Sequence, residues 1–208
     1  MFVLGIDPGN AGSIAIINTE SKSTSIFKMP LIINEKKVKG KIKVSKSYDV
    51  LKIREILKDN LSEKDLFYVE KVQNMPGEGS TSSFNFGKGI GILEGLIVGI
   101  FNINPIFISP IVWKKYFEQD LITEEMIEIK NKIKQLKEKG NKILNKKEIE
   151  KLGRLFKNKA KSSSRMLATK KFPEFSKILE KKGNDGIAES LLIALYGLEN
   201  YGKQKKLV

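Results

Sequence analysis

The chain of 208 residues contains neither cysteine nor histidine. Without thiols there is no disulfide scaffold, no thiolate nucleophile and no zinc site built on cysteine. Without imidazole there is no Ser-His-Asp triad, no HExxH metal motif and no histidine general base. Chemistry here must use carboxylates, hydroxyls, lysines or bound ions. A composition of 40% hydrophobic and 30% charged residues excludes a disordered tail or a collagen-like fibre. No basic leader precedes the first apolar segment, Phe2–Ile6. The longest apolar run, Ile90 to Phe101, carries Glu94 and is too short to span a bilayer. The expectation is a soluble, intracellular protein with no membrane partner.

What the chain has in excess is positive charge. Lysine and arginine number 38 against 24 acidic residues, a net +14. Such a balance favours an anionic partner, with nucleic acid foremost. The excess is concentrated: Lys114 to Lys182 holds 21 basic and 10 acidic residues, a net +11. The two flanking stretches read as an ordinary enzyme core.

Phe2–Ile6 is an apolar strand closed by the turn Asp7-Pro8-Gly9-Asn10. Gly12–Asn18 and Ser23–Met29 continue it as an antiparallel meander. The polar stretch 34–46 reads as a loop or ragged hairpin, and Tyr48–Leu57 as a helix. Leu66–Val72 is a fourth strand and Pro105–Pro110 a fifth. Between them Phe84–Phe101 is a helix dense in glycine, which predicts close approach of another backbone or helix. Residues 121–157 read as a basic helical hairpin, Ser163–Phe172 as a separate helix, and Asp185–Tyr196 as a closing apolar helix. This order predicts an α/β fold: a five-stranded mixed sheet flanked by helices, in one domain over 1–208 with 121–157 inserted.

Four carboxylates lie at the edges of apolar elements: Asp7, Glu70, Asp185 and Glu189. The last two are four apart, on one helical face. Acids beside a core are costly unless a cation neutralises them. With no imidazole or thiol, a Mg²⁺ or Mn²⁺ site of hard oxygen ligands is the economical solution. Each acid also has an ordinary alternative. Asp7 can be a turn former, Asp185 a helix N-cap, Glu70 a lysine partner and Glu189 part of a solvated face.

Several stretches carry a resemblance: Gly5-Ile6-Asp7-Pro8-Gly9, Val69-Glu70-Lys71-Val72, the glycine-rich Phe86–Gly91 and Pro110-Ile111-Val112-Trp113-Lys114. It continues through Lys161–Pro173 and Asp185-Gly186-Ile187-Ala188-Glu189-Ser190. Together they span nearly the whole chain in order. The chain resembles the RuvC-type Holliday junction resolvases of the RNase H-like superfamily, nearest to their phage branch.

The resemblance implies an RNase H-like nuclease domain acting as a divalent-metal-dependent endonuclease on four-way DNA junctions, in the cytoplasm or nucleoid of a host cell. It implies Asp7, Glu70, Asp185 and Glu189 as catalytic ligands of two Mg²⁺ ions, with Mn²⁺ able to substitute. It places Lys114, Lys161, Lys88, Gln73 and Met75 toward DNA. It also implies a homodimer, since two opposed nicks match a two-fold junction, and the glycine-rich helix is the candidate dimer face. Two departures stand out. Relatives often space the last acids by three and end in Asp, whereas here the spacing is four and the acid is Glu189. Bacterial relatives carry an aromatic wedge three residues after the second acid, where this chain has Gln73. The remaining alternatives are an RNase H-like nuclease for other branched DNA or structured RNA, and a catalytically idle basic DNA-binding module.

Overall fold

The computed structural model describes residues 1–38, 40–71, 79–138 and 142–204. At its centre lies β1 (Phe2–Asp7), paired antiparallel with β2 (Ser13–Asn18) on one side and parallel with β6 (Leu66–Glu70) on the other. β3 (Thr24–Lys28) and β7 (Ile106–Ile108) form the edges, giving the order β3-β2-β1-β6-β7. This is the predicted five-stranded mixed sheet, with the first three strands as a meander.

Both faces of the sheet are covered, so its inner strands are apolar on both sides. Alternation along each strand sorts the side chains. Leu4, Ile6, Phe67 and Val69 pack with Leu57 of α1 (Val50–Asn60) and Leu93 and Ile97 of α2 (Ser80–Phe101). Val3, Ala15, Tyr68 and Ile108 face the opposite layer. There lie α3 (Pro110–Tyr116), α6 (Lys142–Lys171) and α8 (Asp185–Gln204). The same parity sends Asp7 and Glu70, at the ends of neighbouring parallel strands, toward α8.

α8 lies directly on the strands because glycine permits it. A Cβ on Gly5 would collide with the backbone of Ser190 and Ala194. Ser13 fixes the register of the helix: its hydroxyl donates to the Gly186 carbonyl at 2.9 Å and lies 2.6 Å from the Ser190 hydroxyl.

Three regions refine the sequence reading. Of the two readings of residues 34–46 the hairpin holds, as a regular two-stranded ribbon, β4 (Leu31–Val38) and β5 (Lys41–Tyr48), separate from the main sheet. Polar residues alternate with Ile42, Val44 and Tyr48 in β5, and its cross-strand pairing with β4 forms a regular ladder. The predicted second arm of the helical hairpin and the predicted helix 163–172 are one helix, α6. The run Lys157–Ser162 between them contains neither glycine nor proline to stop it. α5 (Glu124–Glu138) lies antiparallel to α6, tied by Lys132–Glu148 at 3.1 Å and Lys159–Glu125 at 2.6 Å.

The third concerns α2, whose glycines mostly do not touch the sheet. Among the described residues Gly89 packs tightly against the Tyr48 ring, whereas Gly87, Gly91, Gly95 and Gly99 meet no atom within 4 Å of a Cβ position. Ser83–Phe101 of this helix is long and apolar enough by composition to cross a membrane, longer than the Ile90–Phe101 run suggested. In this fold its Leu93, Ile97 and Phe101 are buried in the core beneath the sheet. The short helices α4 (Glu118–Leu121) and α7 (Ser176–Leu179) complete the chain order.

Candidate metal centre

β1 and β6 run parallel with Ile6 beside Val69, so the next residues, Asp7 and Glu70, emerge side by side at the carboxyl ends of the strands. Glu189 reaches them from the second turn of α8. One carboxylate oxygen from each of the three lies within 4.8 Å of the others. Crowding of this kind is costly for free carboxylates. Burial first, then the charges of Glu189 and Glu70, hold the Asp7 carboxyl well above its ordinary range. Burial and Glu189 likewise raise Glu70.

Among the described residues a few groups offset this repulsion. The Lys114 ammonium sits 2.9 Å from Glu189 Oε1 and opposes the upward shifts of both Asp7 and Glu70. It also lies 4.8 Å from the centre of the Trp113 ring. Trp113, fully buried in α3, donates its indole N–H to Glu70 Oε1 at 2.9 Å. Glu70 therefore has an indole partner, where the sequence also allowed a lysine.

Asp185 is held apart from the trio. It forms an ion pair with Arg165 of α6 and a second, at 3.2 Å, with Lys161. The four acids proposed from sequence thus divide into three that converge and one that anchors α6 to the start of α8. Lys161 faces Asp185 at the margin of the site and also opposes the upward shift of Asp7. Lys88 is exposed on α2 and lines a cavity of about 380 Å³ with Gly9, Lys46, Tyr48 and Phe86. Gln73 and Met75 fall outside the described residues.

The backbone geometry around Asp7 is equally constrained. Gly186 lies so close that a Cβ there would strike the Ala11 carbonyl and come 2.8 Å from Asp7 Oδ2. The Gly9 N–H donates to the Tyr48 hydroxyl at 2.8 Å. Burial, with the Asp7 charge behind it, pushes the Tyr48 phenol up to about 12, so it remains a neutral partner for the turn.

Sequence reasoning missed Trp113, Arg165 and Tyr48 as parts of this site. Two signals were present. A lone tryptophan buried in a core needs a partner for its N–H, and Arg165 is one of only three arginines among 38 basic residues. For Tyr48 the sequence offered no signal.

Three hard oxygen donors converging beside Lys114 fit a divalent cation. The trio comprises Asp7, Glu70 and Glu189, and it is the group of acids among the described residues placed to hold one. No protein-family model matches the chain, and no curated protein matches it either.

Proposed function

We propose that this protein is a divalent-metal-dependent DNA endonuclease of the RNase H-like type that resolves four-way junctions. The observation that carries the reading is the convergence of Asp7, Glu70 and Glu189 at the ends of parallel strands in a net +14 chain. The five-stranded mixed sheet, in the order β3-β2-β1-β6-β7 with helices on both faces, is compatible with an RNase H-like fold. The resemblance to RuvC-type resolvases supports the same substrate, and action inside a cell follows from that substrate.

Asp7, Glu70 and Glu189 would hold Mg²⁺, with Mn²⁺ as a substitute. A divalent ion bound there supplies an activated water and charge stabilisation for phosphodiester hydrolysis. The protein's own contribution is preorganisation. Trp113 orients Glu70, Gly186 lets the start of α8 approach Asp7, and Lys114 balances the trio before the ion arrives. Asp185 would offer its remaining lone pairs to a second ion while Arg165 and Lys161 hold its two oxygens.

A homodimer suits the symmetry of the substrate. The open row of Gly87, Gly91, Gly95 and Gly99 on α2 supports that helix as the contact, since four-residue spacing lets two helix backbones approach. The test is incubation of end-labelled four-way, flap and linear duplex DNA with the protein, with and without Mg²⁺. Metal-dependent paired nicks in the junction alone are expected. Equal cutting of all three substrates would remove the junction assignment, and full activity in excess chelator would remove the metal mechanism.

A further inference from the structure

We infer that the β4–β5 ribbon is a phosphate-gripping arm that lies along a duplex DNA arm beside the metal centre. Its residues from Ile32 to Lys37 and from Lys41 to Ser47 are exposed, so it is not there to complete the core. Directly opposed residues of an antiparallel pair share a face. The register sets Lys36 opposite Lys43, Asn34 opposite Ser45, Ile32 opposite Ser47 and Lys41 opposite Val38. One face thus gathers Lys36, Lys41 and Lys43 with Asn34, Ser45 and Ser47. The only acid of the ribbon, Glu35, pairs with Val44 on the other face.

Like charges directly opposite one another destabilise a hairpin, and a two-stranded ribbon is marginal in water to begin with. Among the described residues, none of the three lysines has a carboxylate ion-pair partner. The sequence therefore retains a repulsion that an external anion would relieve. Hydroxyl and amide side chains between lysines are the usual phosphate-contacting set, and a two-stranded ribbon fits the major groove of a duplex. The base of the ribbon is fixed to the site, because Tyr48 at its end holds Gly9, two residues from Asp7. Tyr48 lies on the other face of the ribbon, in line with Val44 and Lys46, so it sets where the ribbon springs from, and DNA on the lysine face would run beside the carboxylates.

The inference rests on the reading that this protein acts on DNA, and the test separates the two. Binding of fluorescent duplex and four-way DNA is followed by anisotropy, without divalent ions, between about 50 and 200 mM salt. Lys36→Ala/Lys41→Ala/Lys43→Ala should weaken binding and flatten the log–log salt dependence by about 0.9 per lost contact, roughly 2.7 for all three. Lys36→Glu should move stability and affinity in opposite directions. An opposite-charge pair with Lys43 raises the thermal midpoint, while DNA binding weakens. Unchanged affinity and slope in the folded triple variant would overturn the arm. So would vesicles of anionic lipid being bound through Ile33 and Val44, shown by loss in Ile33→Ser/Val44→Ser, with DNA binding indifferent to the lysines. Wild-type protein that binds DNA in this lysine-dependent way but never cuts would sink the nuclease reading and leave the arm standing.

Discussion

The indole N–H of Trp113 reaches Glu70 Oε1 at 2.9 Å, joining the most deeply buried aromatic of α3 to a carboxylate at the end of β6. Glu70 is 6% exposed, so water cannot replace that donor. The bond also opposes the upward shift that burial imposes on Glu70. One side chain therefore serves packing, orientation and ionisation together.

Trp113→Phe should accordingly cost more than lost volume. Removing the partner of a buried charged acceptor costs about 2 kcal/mol, read as a lower midpoint in urea or thermal unfolding. Glu70 should also become harder to ionise, so Mg²⁺ affinity by calorimetry should fall. A variant with unchanged stability and unchanged metal affinity would mean that the indole only fills space.

Asp7→Asn and Glu70→Gln should abolish cleavage while junction binding persists, because affinity comes from phosphate contacts rather than from the acids. Each change also removes one of three crowded charges. The metal-free variants should therefore unfold at a higher temperature than the wild type, the usual trade between a strained site and stability. Cleavage near wild type in either variant would strike that residue from the reaction.

The raised acids predict a pH dependence of definite sign. In the folded chain Asp7 and Glu70 hold their protons to higher pH than in the unfolded chain. Folding is then favoured most below the unfolded values, and stability declines as pH climbs from those values through the raised ones. Thermal scans in chelator should show this decline through the mildly acidic range. Millimolar Mg²⁺ should flatten it, since the ion stabilises the ionised trio. Metal binding and cleavage should weaken in the reverse direction, as acidification reprotonates the same groups.

Alanine should have opposite effects at glycines of two kinds. Gly186→Ala puts a methyl against the Ala11 carbonyl and Asp7 Oδ2, and overpacking of this kind costs about 1–3 kcal/mol. Gly91→Ala or Gly95→Ala meets open space and should gain about 0.5–1 kcal/mol of helix stability. If α2 is the dimer contact, those same alanines should shift the protein toward monomer in sedimentation experiments. Stabilised variants that associate as before would place the contact elsewhere.

The succession of strands along the chain and the candidate acids were legible because they depend on local chemistry. Apolar runs bounded by Asp-Pro-Gly and other turn signals specify β1, β2 and β6, and the absence of histidine and cysteine turns attention to carboxylates. The spacing of Asp185 and Glu189 specifies a shared helical face, yet it cannot say which of them reaches the strands. That was decided by tertiary contacts: Ser13 sets the register of α8, Arg165 and Lys161 take Asp185, and Lys114 and the strand acids meet Glu189. At 34–46 the sequence left a loop and a ragged hairpin open for a similar reason, since the strands of the ribbon are defined by pairing with each other and not by burial. Sequence alone determined which residue types were available and their local periodicity. Only the fold could decide which charges face one another, because long-range pairing depends on how α3, α6 and α8 converge on the ends of β1 and β6.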